Sequence, residues 1–571
     1  MTSTNYYIFL MPSVIFMLGG IVACFLKGIV RTFFSLCVPI LSFYILNKYF
    51  LNEIFITKSF FGYNLNIFVY DKITLLFAYI FYIFSILALI YSSFTKKSIE
   101  IGAGLFYVGA SLGVIFSGDF FSFYLFWELL TFGATIFIYL GRDKDSKNAS
   151  FRYVVFHIIG GLILLLGILL MYKETGLLTI KSLKLNSLYS YLIFLGFGVN
   201  AGFPFLHTWI TDSYPKASIS GSVFLSSLTT KVGIYALIRC FVGTQALIYI
   251  GAIMVICPVF YAVIENDLRK VLSLSLINQL GFMIIGIGIG TSLAINGAVS
   301  HVFVHILYKS LLFMVVGAVI YKYQTAKVTE LGGIYKKMPL VSVISVIAML
   351  SISAFPMFSG FVTKSMIISS ALNENMIILS SILILGSAAV VKYMKVPLTA
   401  FFIKNNNTEI SKNLTENETK IPFCMTLAMS ISAILCILIG LFPQISLYKL
   451  LPYEITYKPY TYFHVISQLE ILFFAGLALY ICYKFKFYKK EEDKITVDVD
   501  YFYRNAFSSL NKVVGVCSNF LNQKLYNVLI RLGDFIKNSF LQISNKTIEK
   551  RFPVGLTLAF IIIVFLIAFY M

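Results

Sequence analysis

Six ionisable side chains lie within or beside apolar stretches that are long enough to cross a membrane. They are an acid, three lysines and two histidines: Glu128, Lys231, His301, His305, Lys309 and Lys364. A charge at the centre of a bilayer costs at least ~2.5–3.5 kcal/mol, so such side chains face a protein interior or water. Carboxyl, amine and imidazole groups can all take up and release protons. The set therefore indicates a route for protons or small cations.

Glu128 and Lys231 each have a plain structural alternative. Glu128 follows Phe126 and Trp127 in a stretch that is apolar on both sides, and it could be an acid at a helix end, held by headgroups. Lys231 could reach water from a helix end. The apolar residues continue on both sides of each, however, which favours burial, and buried acids and amines can exchange protons near neutral pH.

His301, His305 and Lys309 follow each other at intervals of four residues. In a helix this spacing places all three on one face, about 6 Å apart per step. Two histidines at this spacing could also bind a metal, but Val302-Phe303-Val304 lies between them, without the acid of a metalloprotease motif, so no metal is predicted. The arrangement favours a proton relay, and Lys364 would end it.

The elements that must position these residues are membrane-spanning helices. Of 571 residues, 59% are hydrophobic and only 12% are charged, with a mean hydropathy of +0.87. A soluble domain of this size would need far more polar surface. The apolar segments predict an all-α polytopic membrane protein with about 14–16 transmembrane helices.

Charge and cysteine content exclude several function classes. The formal net charge is +20, but the basic residues are scattered through short connections, as in helix ends anchored at a negative leaflet, and no nucleic-acid partner is predicted. The eight cysteines stand singly, and no GxGxxG or P-loop motif is present. No cofactor is therefore expected, and no catalytic redox site is expected in this chain.

Two apolar segments, at 196–204 and 353–360, each contain glycine and proline. Proline removes a backbone hydrogen bond and glycine loosens a helix, so both segments are predicted to be interrupted helices. Interrupted helices at corresponding positions in two halves are typical of transporters built from inverted repeats. The separation of the two segments fits two inverted five-helix repeats.

The sequence also predicts how the chain is divided. A polar break at 404–420 reads as a solvated loop, and a helical period between 489 and 551 predicts an amphipathic helix. The predicted divisions are N-terminal helices at 1–72, a first half-channel repeat at 73–242, a second at 243–403, a loop with further transmembrane helices at 404–488, and the amphipathic helix with a C-terminal anchor at 489–571.

Seven motifs occur in a fixed order over roughly residues 75–400. They are Phe126–Glu128, Pro204–Trp209, Leu228–Tyr235, Glu265–Lys270, His301–Phe313, Leu331–Pro339 and Gly360–Lys364. In these motifs the chain resembles the antiporter-like subunits of respiratory complex I, membrane-bound hydrogenases and Mrp-type Na+/H+ antiporters, and in particular the D-type subunits of the Mrp antiporters. The resemblance implies proton and monovalent-cation (Na+ or K+) translocation as part of a multi-subunit complex in a bacterial cytoplasmic (inner) membrane.

The resemblance also assigns roles to the candidate residues. Glu128 corresponds to the glutamate of the family's fifth helix, Lys231 to the central lysine of the eighth and Lys364 to the exit residue of the twelfth. The histidines and Lys309 correspond to the second half-channel. One position departs from the pattern, because the family usually has a lysine where this chain has Asn200. His207, seven residues further on, is a candidate substitute.

Two other readings remain open at the level of sequence. The chain could be the proton-pumping module of a complex I-like or hydrogenase redox complex, whose redox centres would lie in other subunits. It could also be a non-conducting structural membrane subunit, because Asn200 cannot carry charge. The neighbouring genes would separate the first reading from antiport, and ion flux would test the second.

Overall fold

The computed structural model describes residues 11–50, 55–60, 63–389, 401–402 and 420–485, together with 499 and 501. The chain divides into two compact units, Met1–Thr496 and Val497–Met571. The predicted loop at 404–420 and the predicted amphipathic helix and anchor at 489–571 lie almost wholly outside the described residues. The fold is therefore that of the first unit.

The first unit is built almost entirely from helices. Before the first interruption they are α1 (Pro12–Phe25), α2 (Gly28–Ile45), α3 (Lys72–Ser92), α4 (Ser98–Phe116), α5 (Phe120–Tyr139), α6 (Ser146–Thr175) and α7 (Leu188–Ala201). Then follow α8 (Thr208–Ser213), α9 (Ile219–Ser227), α10 (Thr229–Cys240), α11 (Gln245–Ile264), α12 (Leu268–Ile289) and α13 (Ser292–Tyr323). The last are α14 (Pro339–Ile352), α15 (Ser359–Asn373), α16 (Ile377–Ala389), α17 (Phe423–Leu441), α18 (Pro443–Ser446) and α19 (Tyr462–Lys484).

A short hairpin adds to the predicted all-helical architecture. Strands β1 (Phe55–Phe60) and β2 (Tyr63–Val69) pair antiparallel, with Phe60 opposite Tyr63. The segment lies within the predicted N-terminal helical region, and its polar residues alternate with apolar ones, which favours a half-exposed strand over a membrane span. The carbonyl of Asn66 accepts a hydrogen bond from Gly118 over 2.8 Å, which ties β2 to the start of α5.

Ten helices among the described residues are long and apolar enough to cross a membrane, and five shorter apolar helices accompany them. The chain is an integral membrane protein. The central spans are almost completely buried: 100% of the apolar window in the Ile219–Cys240 span and 94% in α12 and in α13. The outer spans α6 and α11 are only 39% buried. Because the candidate lysines and histidines sit in central helices, protein rather than lipid surrounds them.

Both predicted interruptions are present. Helix α7 ends at Ala201, after which Gly202 adopts a left-handed conformation with φ 71°, and α8 starts at Thr208. Helix α14 ends at Ile352, and α15 starts at Ser359. In both places the chain contains Phe-Pro, and proline cannot continue a helix. The inversion of the two five-helix repeats and the division boundaries remain predictions.

A third interruption was not predicted. Helix α9 ends at Ser227 and α10 begins at Thr229, and Leu228 between them has φ −111° and ψ −63°. No glycine or proline marks this position, so the sequence carries no local signal for it. The break frees main-chain carbonyls close to Lys231. It therefore matters for the candidate site.

Candidate proton and cation pathway

Helix α13 carries His301, His305 and Lys309 on one buried face, as their spacing predicts. All three side chains are fully buried. The rings of His301 and His305 have centroids 6.1 Å apart, and Nδ1 of His301 lies 2.9 Å from the hydroxyl of Thr363 on α15. His305 has no hydrogen-bond partner at either ring nitrogen. One imidazole is thus held in place, and the other has both nitrogens open to a transferred proton or a water.

Lys309 contacts a second helix. Its amine donates a hydrogen bond to the hydroxyl of Ser275 on α12. One turn further along α12, Gln279 accepts a hydrogen bond from Tyr308 over 3.2 Å. These contacts make a polar seam between α12 and α13 in a part of the molecule that is otherwise apolar. Such a seam is costly to bury unless its groups are paired, which these are.

Lys364 lies at the second interruption, as its position after 353–360 predicts. Its amine donates to the carbonyl of Ile352 over 2.7 Å and lies 5.0 Å from the centre of the Phe282 ring. The same Phe282 ring lies 6.2 Å from the ring of His301, and Thr363, the residue before Lys364, bonds His301. Lys364 is therefore close enough to the histidine pair to continue the row of buried groups.

Lys231 lies at the unpredicted break between α9 and α10 and is fully buried. Its amine donates to the carbonyl of Ser226 over 2.5 Å and to the hydroxyl of Thr230 over 3.2 Å. Helix α9, whose Ser226 carbonyl binds this amine, packs against α13, which carries His305 and Lys309. Lys231 thus lies in the protein interior beside a helix that packs against α13, and the alternative of a lysine reaching out from a helix end is excluded.

Three tyrosines lie around Thr229, two residues before Lys231. The hydroxyl of Tyr107 accepts a hydrogen bond from the main-chain nitrogen of Thr229 over 3.0 Å. The buried hydroxyls of Tyr153 and Tyr214 approach the Thr229 side chain without a regular hydrogen bond. Hydroxyl groups both donate and accept, so this cluster offers polar atoms between Lys231 and the first half.

Glu128 is less deeply placed than its apolar surroundings indicate. The residue is half-buried on α5, and its neighbours Leu125 and Phe132 point out of the molecule, with 52% and 63% of their surfaces exposed. Oxygen Oε1 is buried without a hydrogen-bond partner. It lies against Gly161 of α6, where even a Cβ atom would overlap it. The carboxyl therefore sits at the edge of the first half, between α5 and α6.

Asn200 is buried at the end of α7, and the histidine that it contacts is His157 of α6. Nδ1 of His157 lies 3.0 Å from Oδ1 of Asn200, and the ring packs 4.5 Å from Trp209. His207, the substitute considered from the sequence, is half-buried at the start of α8. His157 was not among the residues predicted from the sequence, although a histidine inside an apolar run was the available signal.

A separate charged cluster lies where α6 begins. Arg152 donates to Asp145 over 2.8 Å and to Asp212 over 2.7 Å, and Lys216 reaches both acids. The hydrogen bond from Arg152, with the contact to Lys216, lowers the pKa of Asp145 below its ordinary value. These groups form closed ion pairs and so serve as a clamp rather than as part of the buried row. Within the described residues, no group of three or more His, Cys, Asp or Glu side chains could hold a metal ion.

The family model described as "NADH:quinone oxidoreductase/Mrp antiporter, TM" matches residues 117–389. This range includes all six ionisable residues from Glu128 to Lys364 that the sequence indicated as a proton or cation route. A protein of Alkalihalophilus pseudofirmus, named as the D subunit of a Na(+)/H(+) antiporter, is 30% identical over 341 residues, covering 56% of this chain and 69% of that protein.

Two solved structures share the fold. A chain of the Mrp complex from Dietzia sp. aligns with a TM-score of 0.75 at 20% identity, covering 95% of this chain and 64% of that one. A chain of an archaeal membrane-bound sulfane sulfur reductase aligns with a TM-score of 0.71 at 23% identity, covering 97% of this chain and 99% of that one. At these identities the likeness concerns the fold alone. The antiporter relative from Alkalihalophilus pseudofirmus adds the sequence match, and the chain belongs to the NADH:quinone oxidoreductase/Mrp antiporter family of membrane subunits.

Proposed function

We propose that this chain is a proton- and monovalent-cation-translocating subunit of a Na+/H+ antiporter-type complex in a bacterial cytoplasmic membrane. One observation carries the proposal. Protonatable side chains are fully buried in central helices that pack against one another: Lys231, His301, His305, Lys309 and Lys364. Burying so many ionisable groups is costly, and in membrane proteins such groups mark ion and proton pathways.

The chemistry of the row suits stepwise proton transfer. A proton that arrives on Lys231 disfavours a second positive charge on Lys309 or Lys364, because like charges repel strongly where little water screens them. An imidazole accepts a proton on one nitrogen and releases one from the other. His305, with both nitrogens unpartnered, is the group best placed to pass protons between the lysines.

The position of Glu128 supports the inference that this chain is one subunit of a larger complex. The residue lies at the edge of the first half, beside the exposed Leu125 and Phe132, and a carboxylate so close to lipid would be costly. Another membrane protein of the complex, covering this face, would remove that cost and could deliver a proton to Glu128. Partners of this kind fit a family whose solved members include a multi-subunit Mrp complex.

Ion exchange in everted membrane vesicles tests the proposal. The complete complex is produced in a bacterial host without its own Na+/H+ antiporters, and a pH-sensitive dye reports whether added Na+ or K+ collapses a preformed proton gradient. The expected result is cation-dependent collapse that Lys231→Ala abolishes. No exchange by the wild-type complex, at normal membrane abundance, would instead support a non-conducting structural role.

A second candidate function has its own observation. The reductase chain is matched along 99% of its length, so the same architecture also serves a respiratory complex. As a pump module, this chain would copurify with redox subunits, and its proton movement would need electron flow. Copurification with small membrane subunits and exchange without any electron donor would favour antiport.

A further inference from the structure

The two halves of the protein repeat the same hydrogen bonds at a fixed distance along the chain. Just before α5, an isolated bridge joins Asp119 to Thr179, and just before α12 another joins Asp267 to Lys327. Both partners of the second bridge lie 148 residues after those of the first. The flanking hydrogen bonds repeat as well, from Phe120 to Leu178 over 2.7 Å and from Leu268 to Ala326 over 2.9 Å.

The interruptions repeat in the same way. Gly202 and Phe205 have positive φ angles of 71° and 69°, and Ala354 and Met357 have 56° and 75°. The second pair lies 152 residues after the first. Left-handed backbone at non-glycine residues is rare and strained, so its recurrence at matching positions indicates that the two interruptions have the same local structure.

This repeat places His157 in register with His305. When α6 is aligned with α13 at the offset of the bridges, His157 corresponds to His305, Tyr153 to His301 and Gly161 to Lys309. The two long helices α6 and α13 thus carry an imidazole at the same place in each half. In the second half this imidazole belongs to the buried row.

The contacts of His157 suit it for proton transfer. Oδ1 of Asn200 can only accept, so Nδ1 of His157 donates that hydrogen bond, and Nε2 of the neutral ring then presents a lone pair. Nε2 is buried and has no hydrogen-bond partner. Glu128 Oε1 lies against Gly161, one helical turn away, or about 6 Å along α6.

We propose that His157, oriented by Asn200, is the proton-carrying residue of the first half. In this step the O–H bond of the Glu128 carboxylic acid breaks as its proton passes to a bridging water, and that water gives one of its own protons to form an N–H bond at Nε2 of His157. A carboxylate, an imidazolium and an unchanged water remain. The Nε2–H bond of the imidazolium then breaks as the proton passes to the hydroxyl of Tyr153, whose ring lies 4.2 Å from that of His157. That hydroxyl gives up its own proton to the neutral amine of Lys231, which restores neutral His157 and Tyr153. The proposal rests on the proposed function and names the residue through which the first half conducts.

The second half suggests the decisive variant. The amine of Lys364 binds the carbonyl of Ile352, and at the offset of the interruptions Ile352 corresponds to Asn200. In the second half an amine therefore lies at the end of the broken helix, and Asn200 stands at the corresponding helix end in the first half. Asn200→Lys should put an amine there and relieve the need for the imidazole.

The experiment compares cation-dependent exchange by the complete complex in everted vesicles for His157→Asn and for His157→Asn with Asn200→Lys. Asparagine keeps a nitrogen near the position of Nδ1 but cannot carry a proton at neutral pH. We expect His157→Asn to lower exchange by about a hundredfold, and the double variant to regain at least a tenth of the wild-type rate. His464→Asn, on α19, is the matched control and should exchange normally.

Two results would overturn the proposal while leaving the proposed function intact. One is a wild-type rate in His157→Asn. The other is no recovery in the double variant although it is present in the membrane at the wild-type level, because the histidine would then act only in packing. Should the double variant be absent from the membrane, His157→Lys decides in its place, since a protonatable side chain at 157 must exchange faster than asparagine.

Exchange that is absent from the wild-type complex, or unaffected by Lys231→Ala, would refute the proposed function itself. The two failures are therefore distinguishable within one set of vesicles.

Discussion

Lys364 donates a hydrogen bond to the carbonyl of Ile352 over 2.7 Å, across the interruption between α14 and α15. Ile352 is the last residue of α14, so its carbonyl has no partner within the helix. The lysine therefore holds the broken helix together and also faces the buried histidines. A substitution at this position has to separate these two roles.

We expect Lys364→Gln to lose exchange but to keep its membrane abundance, because the amide still donates to Ile352 and cannot carry a proton. Lys364→Leu should lose exchange and also lower thermal stability by about 1–3 kcal/mol, since it leaves the carbonyl of Ile352 unpaired. Dye-based exchange and thermal unfolding in detergent measure the two effects. Normal exchange by Lys364→Gln would remove Lys364 from the pathway.

Glu128→Gln and Lys231→Ala should each abolish exchange while the complex still assembles. Removing a buried charge relieves the cost of its desolvation, so membrane insertion should not suffer on that account. Lys322→Ala, at the end of α13, is a suitable control because its amine bonds the carbonyl of Lys337 and lies over the Tyr323 ring, in an exposed position away from the buried row. Wild-type exchange in both test variants would rule out conduction through the first half.

The two histidines of α13 should differ in what their removal does. His305→Ala should impair exchange more than His301→Ala, because His305 is the nearer neighbour of Lys309. Neither ring nitrogen of His305 has a hydrogen bond to lose, so its removal should affect transport rather than stability. His301→Ala should lower thermal stability as well, since it removes the buried hydrogen bond to Thr363 and leaves that hydroxyl only its 3.3 Å bond to the carbonyl of Gly360. Normal transport by the double variant would mean that both histidines only pack in the interior and take no part in transport.

Asn200→Lys alone should lose exchange. The side chain is buried and bonded to His157, and the backbone at Asn200 packs against Gly233, so a longer cation beside a protonatable ring is unfavourable. The loss should exceed about tenfold and should reverse when His157→Asn is added. Faster exchange by the single variant would mean that the native first half lacks a cation that it needs.

The clamp at the start of α6 predicts a pH-dependent stability. The folded pKa of Asp145 is lowered, chiefly by the hydrogen bond from Arg152, so its stabilising effect is present above its unfolded pKa of about 4 and is lost as pH falls below that. Asp145→Asn should therefore lower the melting temperature at pH 7. The gap from the wild type should narrow steadily below about pH 4, which a series of thermal melts would check; a constant gap would contradict the ion pair.

The apolar run lengths and the residues inside them were enough to predict the membrane class, the buried row and two interruptions. A span needs about 20 apolar residues, and this requirement is local. The spacing of His301, His305 and Lys309 determines a shared helix face, and Phe-Pro within an apolar segment determines a break. These features depend on residues that are close in sequence, which is why they can be read without the fold.

The depth of Glu128, the break at Leu228 and the pairing of His157 with Asn200 were decided only by the tertiary structure. Glu128 is apolar on both sides in sequence, yet it lies at the edge because α5 is an outer helix. Leu228 carries no breaking residue, and the break coincides with the fully buried Lys231 bonding the carbonyl of Ser226. His157 and Asn200 are 43 residues apart and meet because α6 packs along α7. Contacts between distant residues depend on how helices pack, and no local pattern encodes that.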